Sequence, residues 1–192
     1  MEYMEDWVLR SLARWPDVPA LFGWLRLDRR GRWQIRGELI SRPQIIDTIN
    51  NNYAADEQGR WYFQNGPQRG YMALEYAPLV LRAEVSGEAL VAHTGVRVGQ
   101  VSAAFLDEEG AVLLDTDLGP GVLDDADLDW ALQRLESAAG EIDEEQLAAA
   151  LALPSGSTTA LQLRIGGGRL PLLRLDAALA PQQLGFVREP QP

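Results

Sequence analysis

Residues 28–33, Asp28-Arg29-Arg30-Gly31-Arg32-Trp33, return as residues 56–61, Asp56-Glu57-Gln58-Gly59-Arg60-Trp61, and the same D-x-x-G pattern recurs at Asp107-Glu108-Glu109-Gly110. In such a four-residue loop the aspartate caps a type I turn, and glycine supplies the left-handed residue that other side chains adopt only at a cost. Apolar runs flank the loops: Leu21–Leu27 and Trp33–Arg36 around the first, Val101–Leu106 and Ala111–Leu114 around the third. Three β-hairpins built on one turn are therefore predicted.

Working outward, Met4, Val8, Leu12 and Trp15 fall on one helical stripe, so the spacing predicts a helix over 3–15 that Pro16 stops. Ser41 can cap a second helix with Pro43 in its first turn and Ile45, Ile46, Ile49 and Tyr53 facing inward. Short strands are expected between Tyr71 and Gln100. A helix capped by Asp124 or Asp125 should carry Leu128, Ala131, Leu132 and Leu135. Another is expected to begin near Asp143, with Gln146 as its capping-box partner. Thr159–Ile165 and Leu170–Leu175 read as a last hairpin across Gly166-Gly167-Gly168, and Phe186–Pro192 as a frayed end.

Composition excludes much chemistry. Of 192 residues, 46% are hydrophobic and 23% charged, which is enough to build a real core. There is no Cys, ruling out thiol nucleophiles and thiolate metal sites, and all 17 basic residues are Arg, ruling out Schiff-base lysines. The lone His93 rules out a multi-histidine metal site within one subunit. No metal or cofactor is expected. The start, MEYMEDWVLR, lacks the basic-then-apolar order of a signal peptide, and no run is long enough to span a bilayer, so a cytoplasmic protein is predicted. The net charge of −11 is concentrated: residues 107–145 hold 14 acids against Arg134 alone. That sign argues against nucleic-acid binding, which needs a cationic footprint.

The stretch from Gly59 to Pro78, GRWYFQNGPQRGYMALEYAP, concentrates rings and hydrogen-bonding side chains. Trp61 and Phe63 alternate with Tyr62 and Gln64, as on a strand with two unlike faces. Aromatics with a few polar groups line ligand pockets as well as cores. The candidate ligand-binding residues are Arg60, Tyr62, Gln64, Asn65, Arg69, Tyr71 and Glu75. Arg60 and Arg69 are the candidate anion contacts, because a guanidinium can hold a phosphate or carboxylate bidentately. Other candidates fare worse. His93 has no G-x-S-x-G elbow to serve, so a structural role is expected. Asp115-Thr116-Asp117-Leu118-Gly119 fails the calcium-loop pattern at its fifth, sixth and twelfth positions. Much of the acidity sits at predicted helix N-termini, where the macrodipole favours anions. The triple glycine precedes Leu170-Pro171, an extended pattern, and so predicts a hairpin turn.

From Trp24 to Pro78 the chain resembles an uncharacterised bacterial family, the domain of unknown function numbered twelve eighty-five. The residues that carry the resemblance are the D-x-x-G-x-W hairpin with Gly37 after its second strand, a short helix, the second hairpin with Tyr62 and Pro67, and Glu75 before Ala77-Pro78. Thr94 to Val98 and the helix from Asp124 fall where that family has comparable pieces. The chain departs from the pattern at Asn65-Gly66-Pro67-Gln68-Arg69 and beyond Gly140, which predicts a sibling family. The resemblance implies a duplicated core whose second half is pleckstrin-homology-like, a small barrel closed by one helix. It also implies a ligand pocket between the halves and a signalling role, with a nucleotide-like ligand.

The resulting expectation is an α+β fold of two small antiparallel hairpin-based units with flanking helices. Residues 1–78 form one unit and 79–192 the other. The expected function is a non-enzymatic binding or regulatory module that holds a small anionic or nucleotide-like ligand between its halves. Two alternatives remain open. One is a carboxylate-based hydrolase using Glu75. The other is a protein-interaction module whose acidic face 107–145 meets a protein partner, a homodimer also being compatible.

Overall fold

All three D-x-x-G loops close in the same way. The computed structural model of the chain describes residues 13–192, so the helix expected over 3–15 falls almost entirely outside the described residues. In each loop the aspartate N–H bonds to the carbonyl four residues on: Arg32 at 3.0 Å, Arg60 at 2.9 Å and Ala111 at 2.9 Å. The glycine N–H returns to the aspartate carbonyl, and Gly31, Gly59 and Gly110 all have positive φ. One carboxylate oxygen then accepts two further backbone N–H groups, so the turn's orphan donors are satisfied from within. The paired strands leave each turn in equivalent register: Leu27↔Trp33, Ala55↔Trp61 and Leu106↔Val112.

Two sheets result, one of them a curled half-barrel, and the class is α+β. The described chain falls into two units, one running through Pro78 and including Gly185–Pro192, the other Leu79–Leu184.

The first unit holds β1 (Ala20–Leu27), β2 (Trp33–Ile35), β3 (Glu38–Leu39), β4 (Tyr53–Ala55), β5 (Trp61–Asn65) and β6 (Gln68–Leu74), in the order β3-β2-β1-β6-β5-β4. Helix α1 (Pro43–Asn51) buries Ile49; Pro43 sits in its first turn, but the N-cap is Arg42, and no side chain caps it. One face of the sheet is core: Leu25, Leu27, Trp33, Ile35, Trp61, Phe63, Met72 and Leu74 are all buried. Trp33 donates to Asn50 Oδ1 at 2.8 Å, and Tyr53, whose hydroxyl donates to the Pro78 carbonyl at 2.8 Å, lies between the Trp33 and Trp61 rings. Burial pushes the Tyr53 pKa well up.

The second unit holds β7 (Leu79–Ala83), β8 (Leu90–Ala92), β9 (Val101–Leu106), β10 (Val112–Thr116), β11 (Gly119–Leu123), β12 (Leu135–Ser137), β13 (Gly140–Glu141), β14 (Thr158–Ile165) and β15 (Gly168–Arg174). Their order is β13-β12-β14-β15-β9-β10-β11-β7-β8. Helix α2 (Leu128–Leu132) follows a 3-10 turn, α3 (Glu144–Leu151) follows β13, and α4 (Ala180–Leu184) ends the unit. Arg174 is 3% exposed and donates to the carbonyls of Leu106, Leu151 and Leu153 and to Asp176, so each nitrogen of its buried guanidinium has a partner.

The units share a local plan. The strand before the turn pairs antiparallel with the next strand and parallel with a later one: β1 with β2 and β6, β9 with β10 and β15. The carbonyl before the aspartate then takes an N–H from just beyond the parallel strand, Glu75 to Leu27 at 3.0 Å and Leu175 to Leu106 at 3.1 Å.

Several expectations need correction. The sheets are mixed, not purely antiparallel, because β1–β6, β7–β11 and β9–β15 are parallel. The helix expected from Asp124 to Leu135 is only five residues of α-helix; Asp124 caps the 3-10 turn, while Leu132 is exposed and Leu135 begins β12. The end is not frayed, nor part of the second unit. Phe186 is 3% exposed, Val187 N–H bonds to the Gly59 carbonyl, and Leu74 N–H bonds to the Arg188 carbonyl. The capping box at Asp143 and Gln146 is present as expected, with bonds of 2.8 and 3.1 Å.

Candidate functional site

Strand alternation splits the aromatic segment in two. Trp61 and Phe63 enter the core, while Tyr62 and Gln64 lie on the opposite face. There the β5–β6 register sets Tyr71 across from Tyr62 and Arg69 across from Gln64. The parallel neighbour β1 adds Phe22, whose ring stacks on Tyr71 with centroids 4.6 Å apart and planes within 1°. Tyr71 is consequently 5% exposed although it is on the outer face.

Arg60 is committed to this arrangement. Its guanidinium lies 4.6 Å over the Tyr71 ring, with Nε donating to Asp56 Oδ2 at 2.8 Å, Nη1 to the Gln191 carbonyl at 3.1 Å and Nη2 to the Tyr71 hydroxyl at 3.3 Å. The Tyr71 hydroxyl donates to Asp56 Oδ2 at 3.2 Å. Burial opposes ionisation of Asp56. The N–H groups of Arg60 and Gln58 and the Arg60 side chain outweigh it and hold the carboxyl below its ordinary value.

Arg69 differs from Arg60. Its guanidinium stacks 4.3 Å over the Tyr62 ring. A hydrogen bond to the Tyr71 hydroxyl raises its pKa further, so it is always a cation. Among the described residues no carboxylate forms an ion pair with it. Arg69 and Tyr62 face an open cavity of about 360 Å³ whose other walls are Ala55, Asp56, Glu57 and Gln58.

The structure thus brings together Arg60, Tyr62, Arg69 and Tyr71. Gln64 turns away, its Nε2 donating to the carbonyls of Gly66 (2.7 Å) and Gln68 (3.1 Å), and Asn65 pairs with Gln68 at the same hairpin end. Glu75 serves the first turn, accepting from Arg29 N–H at 2.8 Å. Phe22 and Asp56 join the same cluster through Tyr71 and were not among the expected residues. Asp56 was visible as a turn aspartate, but its bond to Tyr71 depends on β6. Phe22 reaches Tyr71 only through parallel pairing.

The remaining candidates are tied into the fold. His93 Nδ1 accepts from the Val80 backbone N–H at 3.1 Å, while the His93 backbone N–H donates to the Val80 carbonyl at 2.8 Å. Ser86 and Ser102, its neighbours in sequence, bond to Glu84 and to the Asp115 carbonyl. In the acidic block, Asp117 holds the N–H groups of Gly99 and Gln100, Asp124 that of Ala126, and Asp127 that of Ala83. Glu136 pairs with Arg169 at 2.7 Å and Arg164 at 3.1 Å; the bond from Arg169 leads in holding its carboxyl below the ordinary value. Gly166-Gly167 is the turn of a hairpin in which Ile165 pairs with Gly168. Among the described residues no group of three or more His, Asp or Glu side chains is placed to hold a metal ion, and no helix is long and apolar enough to cross a membrane.

A family model described as "Protein of unknown function (DUF2946)", and named DUF2944, matches residues 4–191. The chain belongs to the DUF2944 family. No curated protein matches it. Among solved structures it is similar to a DUF1285 family protein from Silicibacter pomeroyi DSS-3, with 16% identity and a TM-score of 0.54 over 84% of this chain and 85% of that one. It is also similar to a DUF1285 family protein from Shewanella baltica OS155, with 14% identity and a TM-score of 0.42 over 54% of this chain and 85% of that one. The first likeness is one of fold. It agrees with the resemblance drawn from the hairpin turns and with the sibling family their departures predicted. This DUF2944 member therefore carries a DUF1285-like fold, and any function must be argued from its own residues.

Proposed function

We propose that this protein is a non-enzymatic binding module which takes a small anionic or nucleotide-like ligand on the Tyr62–Arg69 face of its first sheet. Occupancy would serve a regulatory, signalling role. The observation that supports this most is Arg69, a permanent cation held over the Tyr62 ring at a cavity, without an ion-pair partner among the described residues. Its fork is prepositioned for phosphate or carboxylate oxygens, so little ordering is lost on binding. Tyr71, locked by Phe22, Arg60 and Asp56, backs this pair rather than touching ligand. The proposed setting is the cytoplasm, in keeping with a chain that has no cysteine.

The test is thermal denaturation and calorimetric titration with ATP, AMP and inorganic pyrophosphate. A ligand that binds only the folded chain raises the melting temperature as its concentration passes Kd. At least one of these probes is expected to do so, and Arg69→Ala is expected to weaken it by about tenfold or more. Absence of stabilisation by all three, or binding indifferent to Arg69→Ala, overturns the assignment.

A further inference from the structure

A second cavity, of about 590 Å³, lies wholly within the second unit and shares no residue with the face just described. Its walls are the segment through Leu90, the approach to β9 at residues 97–101, and the tip of the β14–β15 hairpin at residues 165–170. The volume is in the range of small-molecule sites.

The walls are set before any ligand arrives. Asp117 grips the approach to β9, accepting from Gly99 N–H at 3.0 Å and Gln100 N–H at 3.0 Å while its own N–H bonds to the Gln100 carbonyl at 3.0 Å. A Cβ at Gly99 would stand 2.7 Å from that carboxylate, so the approach and the Asp117 side chain lie in close contact. Opposite, the Ile165↔Gly168 pair fixes the hairpin tip.

The lining divides by chemistry. Leu90, Val98, Val101, Ile165 and Leu170 supply apolar surface, while Arg97, Arg169 and Glu88 are the charged groups. Two cations against one acid give the lining a positive balance in a chain whose net charge is −11. Both arginines can reach a ligand at little cost. Arg97 is 65% exposed and pairs with Glu84, a surface contact worth little. Arg169 is 61% exposed and shares Glu136 with Arg164, so Glu136 keeps a cation when Arg169 turns away.

We propose that this groove binds a small organic anion with an apolar body, such as an aliphatic carboxylate, with the body on the apolar lining and the head between Arg97 and Arg169. An apolar body is needed because a bare inorganic anion would leave that surface wet. An anionic head is needed because a cation would face the two guanidinium groups.

Calorimetric titration of the full chain with octanoate, octylamine and inorganic phosphate tests this. Octanoate is expected to bind, with octylamine and phosphate weaker by about tenfold or more, and the double substitution Arg97→Ala/Arg169→Ala should weaken octanoate by a similar factor. Both side chains are exposed, so the variant is expected to keep the parent melting temperature. Octanoate binding should persist in Arg69→Ala, which separates this groove from the first-unit site. Failure of octanoate to bind, equal binding of octylamine, indifference to the double substitution, or loss with Arg69→Ala each overturns the proposal.

Discussion

The turns at Asp28 and Asp56 share their D-x-x-G-R-W residues and their internal bonds, and they are put to different uses. Asp28 accepts from Arg30 N–H, Arg32 N–H and Arg32 Nε at 3.0, 2.8 and 2.7 Å; Asp56 accepts from Gln58 N–H, Arg60 N–H and Arg60 Nε at 3.0, 2.9 and 2.8 Å. Beyond the turn the surroundings part. The Arg32 side chain is 52% exposed, whereas that of Arg60 is 21% exposed and lies on the Tyr71 ring. Asp56 gains the Tyr71 hydroxyl, and Gly59 lies against the backbone of Gly185 and Phe186. Local sequence specifies the turn; what it supports depends on the distant strand or terminus laid against it.

The largest expected effect exploits that terminus. Gly59 and Gly110 both have positive φ, so alanine at either costs about 1–2 kcal/mol for the left-handed backbone. A Cβ at Gly110 would meet nothing within 4 Å, whereas at Gly59 it would stand 2.2 Å from the Gly185 carbonyl oxygen. Gly59→Ala is therefore expected to lower stability by roughly 3 kcal/mol or more and Gly110→Ala by about 1–2 kcal/mol in urea unfolding. Equal costs would mean that the terminal segment yields, and the contrast between the turns would fail on that side.

A smaller effect separates the aspartates themselves. Asp28→Ala removes a carboxylate that accepts three bonds, and a loss of roughly 2–3 kcal/mol is expected. Asp56→Ala should cost about 1 kcal/mol more, because the Tyr71 hydroxyl also loses its acceptor. Tyr71→Phe sharpens this: it should couple to Asp56→Ala by about 1 kcal/mol in a double-mutant cycle and not at all to Asp28→Ala. Coupling to both would show that the hydroxyl acts through the sheet rather than through its bond.

The same division explains what the sequence disclosed. The turns were legible because Asp and Gly at fixed spacing satisfy a loop locally, and the box at Asp143–Gln146 was legible for the same reason. The partition of Trp61 and Phe63 from Tyr62 and Gln64 followed from alternation. The parallel pairing of β1 with β6 was not legible, since it joins residues some fifty apart in the chain without a periodic signature. Phe22 was hidden with it. Phe186 and Arg188 were misread because a short polar ending looks the same whether it frays or docks. Leu132 and Leu135 fit a helical stripe, yet the register of β12 with β14 takes Leu135 into the sheet. Of the seven expected site residues, Gln64 and Glu75 hold backbone partners, the Gly66 and Gln68 carbonyls and the Arg29 N–H, that leave no mark on side-chain pattern.

The mildest expected effect is on pH. The carboxyl of Asp56 is held below its ordinary value of 3.8 because its N–H and guanidinium donors outweigh burial. The unfolded chain then binds more protons than the folded one in this range, so stability from this group rises with pH. Its contribution is complete above the unfolded value and is lost as pH falls through the lower folded value. In Asp56→Asn the turn keeps an acceptor oxygen but no charge, so the variant should lie roughly 1 kcal/mol below the parent at neutral pH, with the gap closing below about pH 4. Taking the difference between parent and variant cancels the acid response of the other carboxylates. Urea midpoints recorded from neutral pH downward give that difference directly. A gap that stays constant to low pH would mean that shape rather than charge holds Arg60 against Asp56, and the feature that most distinguishes the second turn would be its fit to Tyr71 alone.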